Sequence, residues 1–177
     1  MWTTFLPDVL VAAIGAVLTV LVAIASYVIS KRRRERVALQ ALINHLHGKR
    51  ALLTLPGSSP KRRIRGAAKL PDFQHAAASV LDIKSEIKGV REVSSVSARW
   101  QQNLAKMLTS CNLYLEQSQA EPYFYPWYLD DLRRELEVEV RALTRSRKGL
   151  SFARPGDGAL PAQSVSMETL NASHARR

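Results

Sequence analysis

The chain has one cysteine, Cys111, in 177 residues, so it can form no internal disulfide and holds no paired thiolates for a metal. Catalytic signatures are missing as well. There is no glycine-rich phosphate loop, no GxSxG turn and no HExxH, and the four histidines are scattered. His45 and His47 stand two apart and fall on different sides of a helix, whereas helical metal pairs need a spacing of three or four. Glu135, Glu137 and Glu139 alternate, which spreads them around a helix instead of converging them on a substrate. These absences argue against an enzyme and imply no cofactor and no metal. Aromatic residues are scarce too, and five of the twelve crowd into positions 123–128.

What is present is an apolar run. Val9 to Ile29 contains no formal charge over 21 residues, which as a helix reaches roughly 31 Å and matches the hydrocarbon core of a bilayer. A basic block follows at once: Lys31, Arg32, Arg33, Arg34 and Arg36, broken only by Glu35. Such a block resists translocation and is drawn to anionic lipid on the cytoplasmic face, so the N-terminus is expected outside and the rest inside the plasma membrane. Residues 1–8 form a short exterior segment in which Trp2 and Phe5 suit the headgroup level, with Pro7 and Asp8 fitting a first helical turn. Ala23-Ile24-Ala25 resembles a signal-peptidase site. However, no Lys or Arg precedes the run, and its positive flank is on the wrong side for a signal peptide, which favours a retained anchor over 9–30.

Within the span, Ala12, Gly15, Thr19 and Ala23 recur at spacings of three and four, a small-residue face on which two helices can pack closely. That face allows a homodimer, and equally reflects how common Ala and Gly are in membrane helices. Residues 31–54 continue as a basic juxtamembrane helix, with Leu39, Leu42, Ile43 and Leu46 at i, i+3, i+4 and i+7, until Pro56-Gly57-Ser58-Ser59-Pro60 breaks it. Residues 55–71 are a linker with a second basic cluster, Lys61, Arg62, Arg63 and Arg65, which either contacts the membrane surface or is simply solvated. Residues 31–91 carry fifteen Lys or Arg against four acids, which accounts for the whole net charge of +11, since residues 1–30 contribute −1 and the remainder +1. Basic charge crowded beside an anchor speaks for anionic lipid as a partner and makes nucleic acid an unlikely one.

Residues 72–149 read as a helical bundle. Phe73, Ala76, Val80, Ile83, Ile87 and Val90 form an a/d-like series that resumes at Leu104, Leu108, Cys111 and Leu115. Ser94, Ser97 and Gln101 occupy the seam between, which allows either one long helix with a weak middle or two helices that break around 92–96; the break is preferred because a bundle then buries both apolar faces. Cys111 then falls in the core as an inert thiol. Tyr123, Phe124, Tyr125, Trp127 and Tyr128 lie between two prolines and serve either as a docking surface for a partner or as a lid on the bundle core. The last helix has Pro126 in its first turn, basic residues at its end, Gly149 after it, and a stripe of Leu129, Leu132, Leu136, Val140 and Leu143, with Glu135, Glu137, Glu139 and Arg141 mostly outward. Residues 150–177 lack periodicity and are expected to be a flexible tail.

The stretches CNLYLEQSQ, YPWYLDDLRRELEVEVRAL and GLSFARPGDGAL resemble a group of uncharacterised actinobacterial single-pass membrane proteins with a small helical cytoplasmic domain. The resemblance implies architecture and host type; it carries no activity and no site residues. The expected fold is therefore all-α: one N-terminal transmembrane helix, then a cytoplasmic bundle of three to four helices, then the tail. The expected function is a membrane-anchored scaffold or adaptor that binds another cytoplasmic protein. Two other readings are a membrane-active effector of the phage-exclusion or toxin kind, assembling through the span, and nucleic-acid tethering through residues 61–65.

Overall fold

The stretch after the apolar run folds because of the helices it packs against. The computed structural model describes residues 5–53, 63–93, 98–146 and 149–159. Among the described residues there are four α-helices, α1 (Phe5–His47), α2 (Pro71–Val93), α3 (Ala98–Ala120) and α4 (Tyr125–Ser146), with 3-10 turns at Arg50–Leu52 and Ala67–Lys69 between α1 and α2 and at Pro122–Phe124 between α3 and α4. No strand occurs among the described residues. The chain divides into two units, Met1–Val37 and Ala38–Arg177.

In the first unit every side chain from Gly15 to Ser30 is exposed, including Val17, Val22 and Tyr27 at 59%, 65% and 68%. Apolar groups on all sides of a helix suit lipid and are costly in water. By length and composition, α1 is long and apolar enough to cross a membrane.

The second unit has one principal core. Leu39, Leu42, Ile43 and Leu46 of α1 are fully buried in it, together with Val80, Ile83 and Ile87 of α2, Leu104, Met107 and Cys111 of α3, and Leu136 and Val140 of α4. The structure thus draws the bundle boundary at Ala38 rather than at residue 72. The 3-4 spaced stripe at 39–46 is too apolar to be left in water, and it supplies the fourth helix of the bundle. α2 and α3 are separate helices, with 94–97 outside the described residues, and Arg91 Nε donates to Gln101 Oε1 at 3.0 Å across the break. Burial pushes the Cys111 thiol up to about 12, with the charge of Lys84 opposing weakly. It is therefore expected to resist alkylation in the folded protein and to react only on unfolding, which a maleimide time course with and without denaturant checks.

A smaller cluster sits where α4 begins: Ala67, Ala76 and Tyr125 are buried there, with Ile64, Phe73 and Leu129 packed around them. The Phe73 and Tyr125 rings meet edge to face, with centroids 5.5 Å apart.

Two further expectations are corrected, one on the C-terminal segment and one on the glutamates of α4. Residues 150–159, expected to be part of a flexible tail, lie against the end of α1 and against α4; residues 160–177 fall outside the described residues. The amides of Gly156 and Gly158 donate to the carbonyls of Leu46 and His47, each at 3.0 Å, and so cap the terminal carbonyls that α1 cannot satisfy itself. The Ser151 amide donates to Gln40 Oε1 at 2.9 Å. The Arg141 guanidinium lies 4.9 Å above the Phe152 ring. Glu137 and Glu139, expected outward, are both buried, at 9% and 8% exposure. They flank the Leu136–Val140 stripe on opposite sides. Arg154 of the C-terminal segment reaches Glu137 at 2.9 Å, while Lys106 of α3 stands 3.7 Å from Glu139.

Glu137 also accepts from Arg141 at 2.7 Å. Its carboxyl is held below the usual range first by Arg154, against the opposing effect of burial, and further by Arg141. A lowered folded-state value stabilises the fold above the unfolded value of about 4.3 and is lost as pH falls through the lower, folded one. Glu137→Gln is thus expected to lower stability by about 1 kcal/mol at neutral pH, discounted for the half-exposed arginines. It is also expected to flatten the acid limb below about pH 4.5, read by denaturant titration across pH.

Candidate functional site

The structure sorts the sequence candidates into groups that packing has consumed and groups that it leaves available. Of the five aromatic residues at 123–128, Tyr125 and Tyr128 are buried and Phe124 is half-buried against the core. Only Tyr123 and Trp127, each 40% exposed, face outward to any extent. The five therefore do not make one docking surface. Three of them close this end of the bundle, and two project from it. Trp127 is steadied by Tyr128, their ring centroids 5.2 Å apart, and Tyr128 Oη donates to Glu121 Oε2 at 3.0 Å.

The linker joins this end of the molecule. The Ile64 amide donates to the Tyr123 carbonyl at 3.1 Å, and the Arg63 guanidinium lies 4.8 Å over the Tyr123 ring. Arg65 is exposed two residues on; Lys61 and Arg62 lie outside the described residues. In the first basic block Arg32, Arg33, Arg34 and Arg36 are exposed and Lys31 is half-buried.

In the small-residue face Gly15, Thr19 and Ala23 are exposed, and the side chain of Ala12 is outside the described residues. A Cβ on Gly15 would meet nothing within 4 Å. Thr19 Oγ1 donates to the Gly15 carbonyl at 2.8 Å, so this hydroxyl is spent within its own helix.

Two histidines, His45 and His47, do structural work. His45 Nε2 lies 3.0 Å from Asp82 Oδ2, and Lys49 pairs with the same oxygen, which fixes the end of α1 to α2. Lys49 is the main cause of the lowered Asp82 carboxyl, His45 a lesser one. His47 Nδ1 donates to the Arg154 carbonyl at 2.9 Å. Among the described residues no three His, Cys, Asp or Glu gather as a metal site requires.

A groove that the sequence did not announce runs between α3 and α4. One part, of about 190 Å³, is lined by residues including Thr109, Ser110, Leu113, Gln117, Asp131 and Glu135. A second, of about 460 Å³, shares Thr109, Ser110 and Glu135 and adds Gln102, Lys106 and Glu139. Leu113 at its edge is 48% exposed. Thr109 and Ser110 donate to the carbonyls of Ala105 and Lys106 within α3, and Lys106 pairs with Glu139, while Asp131 and Glu135 are exposed on the α4 side. Tyr114 forms part of the wall; it is buried, its hydroxyl makes no hydrogen bond, and burial pushes its phenol above the ordinary value. Only helix pairing reveals such a groove, because α3 and α4 contribute to it in alternation.

Compared with known protein families, curated proteins and solved structures, the chain matches none.

Proposed function

We propose that the chain is a membrane-anchored helical scaffold or adaptor. In this reading the apolar stretch of α1 crosses the plasma membrane with the N-terminus outside, and residues 31–36 meet anionic headgroups on the cytoplasmic side. The bundle from Ala38 onward then binds another protein. The observation that carries the reading is that α1 holds both the exposed apolar stretch at 15–30 and the buried residues Leu39 to Leu46, so that one helix serves anchor and folded domain together. Of the surfaces on the bundle, the α3–α4 groove best suits a protein, because it is concave and pairs the exposed Leu113 with the carboxylates of Asp131 and Glu135. A helix or extended segment with basic residues complements it.

The test is a photo-crosslinking residue at position 113 of the full-length protein in membranes of the native host. One specific protein adduct is expected, lost when Glu135→Arg reverses the groove's charge. Adducts only to a second copy of the chain, unchanged by Glu135→Arg, would refute the adaptor and favour an assembling membrane effector.

A further inference from the structure

Packing has brought together two stretches that lie some sixty residues apart in sequence: the basic linker end and the turn before α4. The Ile64 amide to Tyr123 carbonyl bond and the Arg63–Tyr123 ring contact tie them into one surface. Its content is unusual for a solvated loop. Residues 63–70 include Arg63, Arg65 and Lys69 and no acid; the half-exposed phenol of Tyr123 lies under Arg63, and the half-exposed indole of Trp127 follows four residues on. Leu70 is 37% exposed in the same segment.

The nearby acids are mostly occupied. Glu121 accepts from Tyr128, and Asp130 is paired with Arg133 and Arg134. Asp72 and Asp131 are exposed and oppose the basic excess only in part.

We propose that this surface, built on Arg63, Arg65, Tyr123 and Trp127, is a second membrane contact that binds the headgroups of anionic phospholipid. Amphipathic rings with a polar edge settle at the boundary between headgroup and acyl chain, and clustered basic side chains add attraction to anionic lipid. The inference rests on the anchored reading, since the tether supplies the high local concentration of headgroups that lets a small contact act.

The experiment uses the full chain in vesicles made with acyl-chain-brominated lipid, either phosphatidylcholine alone or mixed with roughly a third phosphatidylglycerol. Trp127 is kept as the sole tryptophan by Trp2→Phe and Trp100→Phe; a companion protein keeps only Trp2. Quenching of Trp127 is expected to be about twofold or more stronger with phosphatidylglycerol, and Arg63→Glu with Arg65→Glu should remove that difference, whereas the two Lys replacements should retain it. If Trp2 is quenched while Trp127 is not, the anchored reading stands and the lipid contact falls, leaving the surface to a protein or a nucleic acid. If Trp2 itself is unquenched in both membranes, the anchor fails and the inference fails with it. Trp127 quenching that is indifferent to charge reversal would also overturn it.

Discussion

Truncating Leu42 to Ala is expected to remove about 2–5 kcal/mol from the stability of the bundle, the usual cost of deleting a fully buried leucine side chain from a close-packed core. Leu42 has no exposed surface and packs within the cluster formed by all four helices. The number separates two architectures. If residues 31–54 were only a juxtamembrane helix, the change would cost about as little as a substitution at an exposed position. Val37, one residue before the bundle and 64% exposed, provides the internal reference, and Val37→Ala is expected to stay within about 0.5 kcal/mol of wild type. Denaturant unfolding of the full chain in detergent, followed by far-ultraviolet circular dichroism, gives both values. Equal stabilities for the two variants would remove α1 from the core.

Gly156→Val is expected to detach the segment from Leu150 to Ala159. Two costs coincide at this position. Gly156 has φ +86°, a conformation that a β-branched residue strongly resists. In addition, a Cβ placed there would run into the backbone of Leu52 and Leu53, which cannot swing aside as a side chain can. Together these costs amount to about 3 kcal/mol or more. They fall on a segment held chiefly by the Gly156 and Gly158 amides, the Arg154–Glu137 pair and the Ser151–Gln40 bond. Release should therefore precede global unfolding. Hydrogen exchange at the Gly158 amide is expected to accelerate roughly a hundredfold, with core amides of α3 still protected. Gly158→Ala should do less, because the atoms its Cβ meets belong to the His47 side chain, whose rotation gives up one hydrogen bond, from Nδ1 to the Arg154 carbonyl. Unchanged protection at Gly158 in the Gly156→Val variant would contradict the capping role.

Much of the architecture was legible because helices announce themselves locally. The 3.6 periodicity of 39–46, 73–90, 104–115 and 129–143 follows from each stripe needing burial, and the polar seam at Ser94 and Ser97 marked where α2 and α3 separate. What a stripe does not state is its partner. The one at 39–46 reads equally well as the continuation of an anchor and as the fourth wall of a bundle, and only tertiary packing decides between them. The Phe152–Ala159 stretch was opaque for a different reason. Its stabilising groups are main-chain amides and two glycines, which leave no periodic trace, and Arg154 meets Glu137 from seventeen residues away in sequence. The surface at Arg63 and Tyr123 was visible as two separate features, a basic cluster and an aromatic cluster, because nothing in either spells out the backbone bond at Ile64 that joins them. The aromatic cluster also divided in a way that composition alone does not reveal, with Tyr125 and Tyr128 drawn inward and Tyr123 and Trp127 left at the surface.

The central claim is that α1 crosses the membrane with the bundle inside the cell, and cysteine accessibility tests it most directly. Cys111 is buried and its thiol is poorly ionised, so the native chain supplies a silent background. Single cysteines introduced as Thr3→Cys, before the apolar stretch, and Gln119→Cys, at an exposed position near the end of α3, would report the two sides. With a membrane-impermeant maleimide on intact cells, the cysteine at position 3 should be labelled and that at 119 should not, and permeabilisation should make both reactive. Labelling at 119 in intact cells, or protection of position 3 in the same cells, would contradict the account.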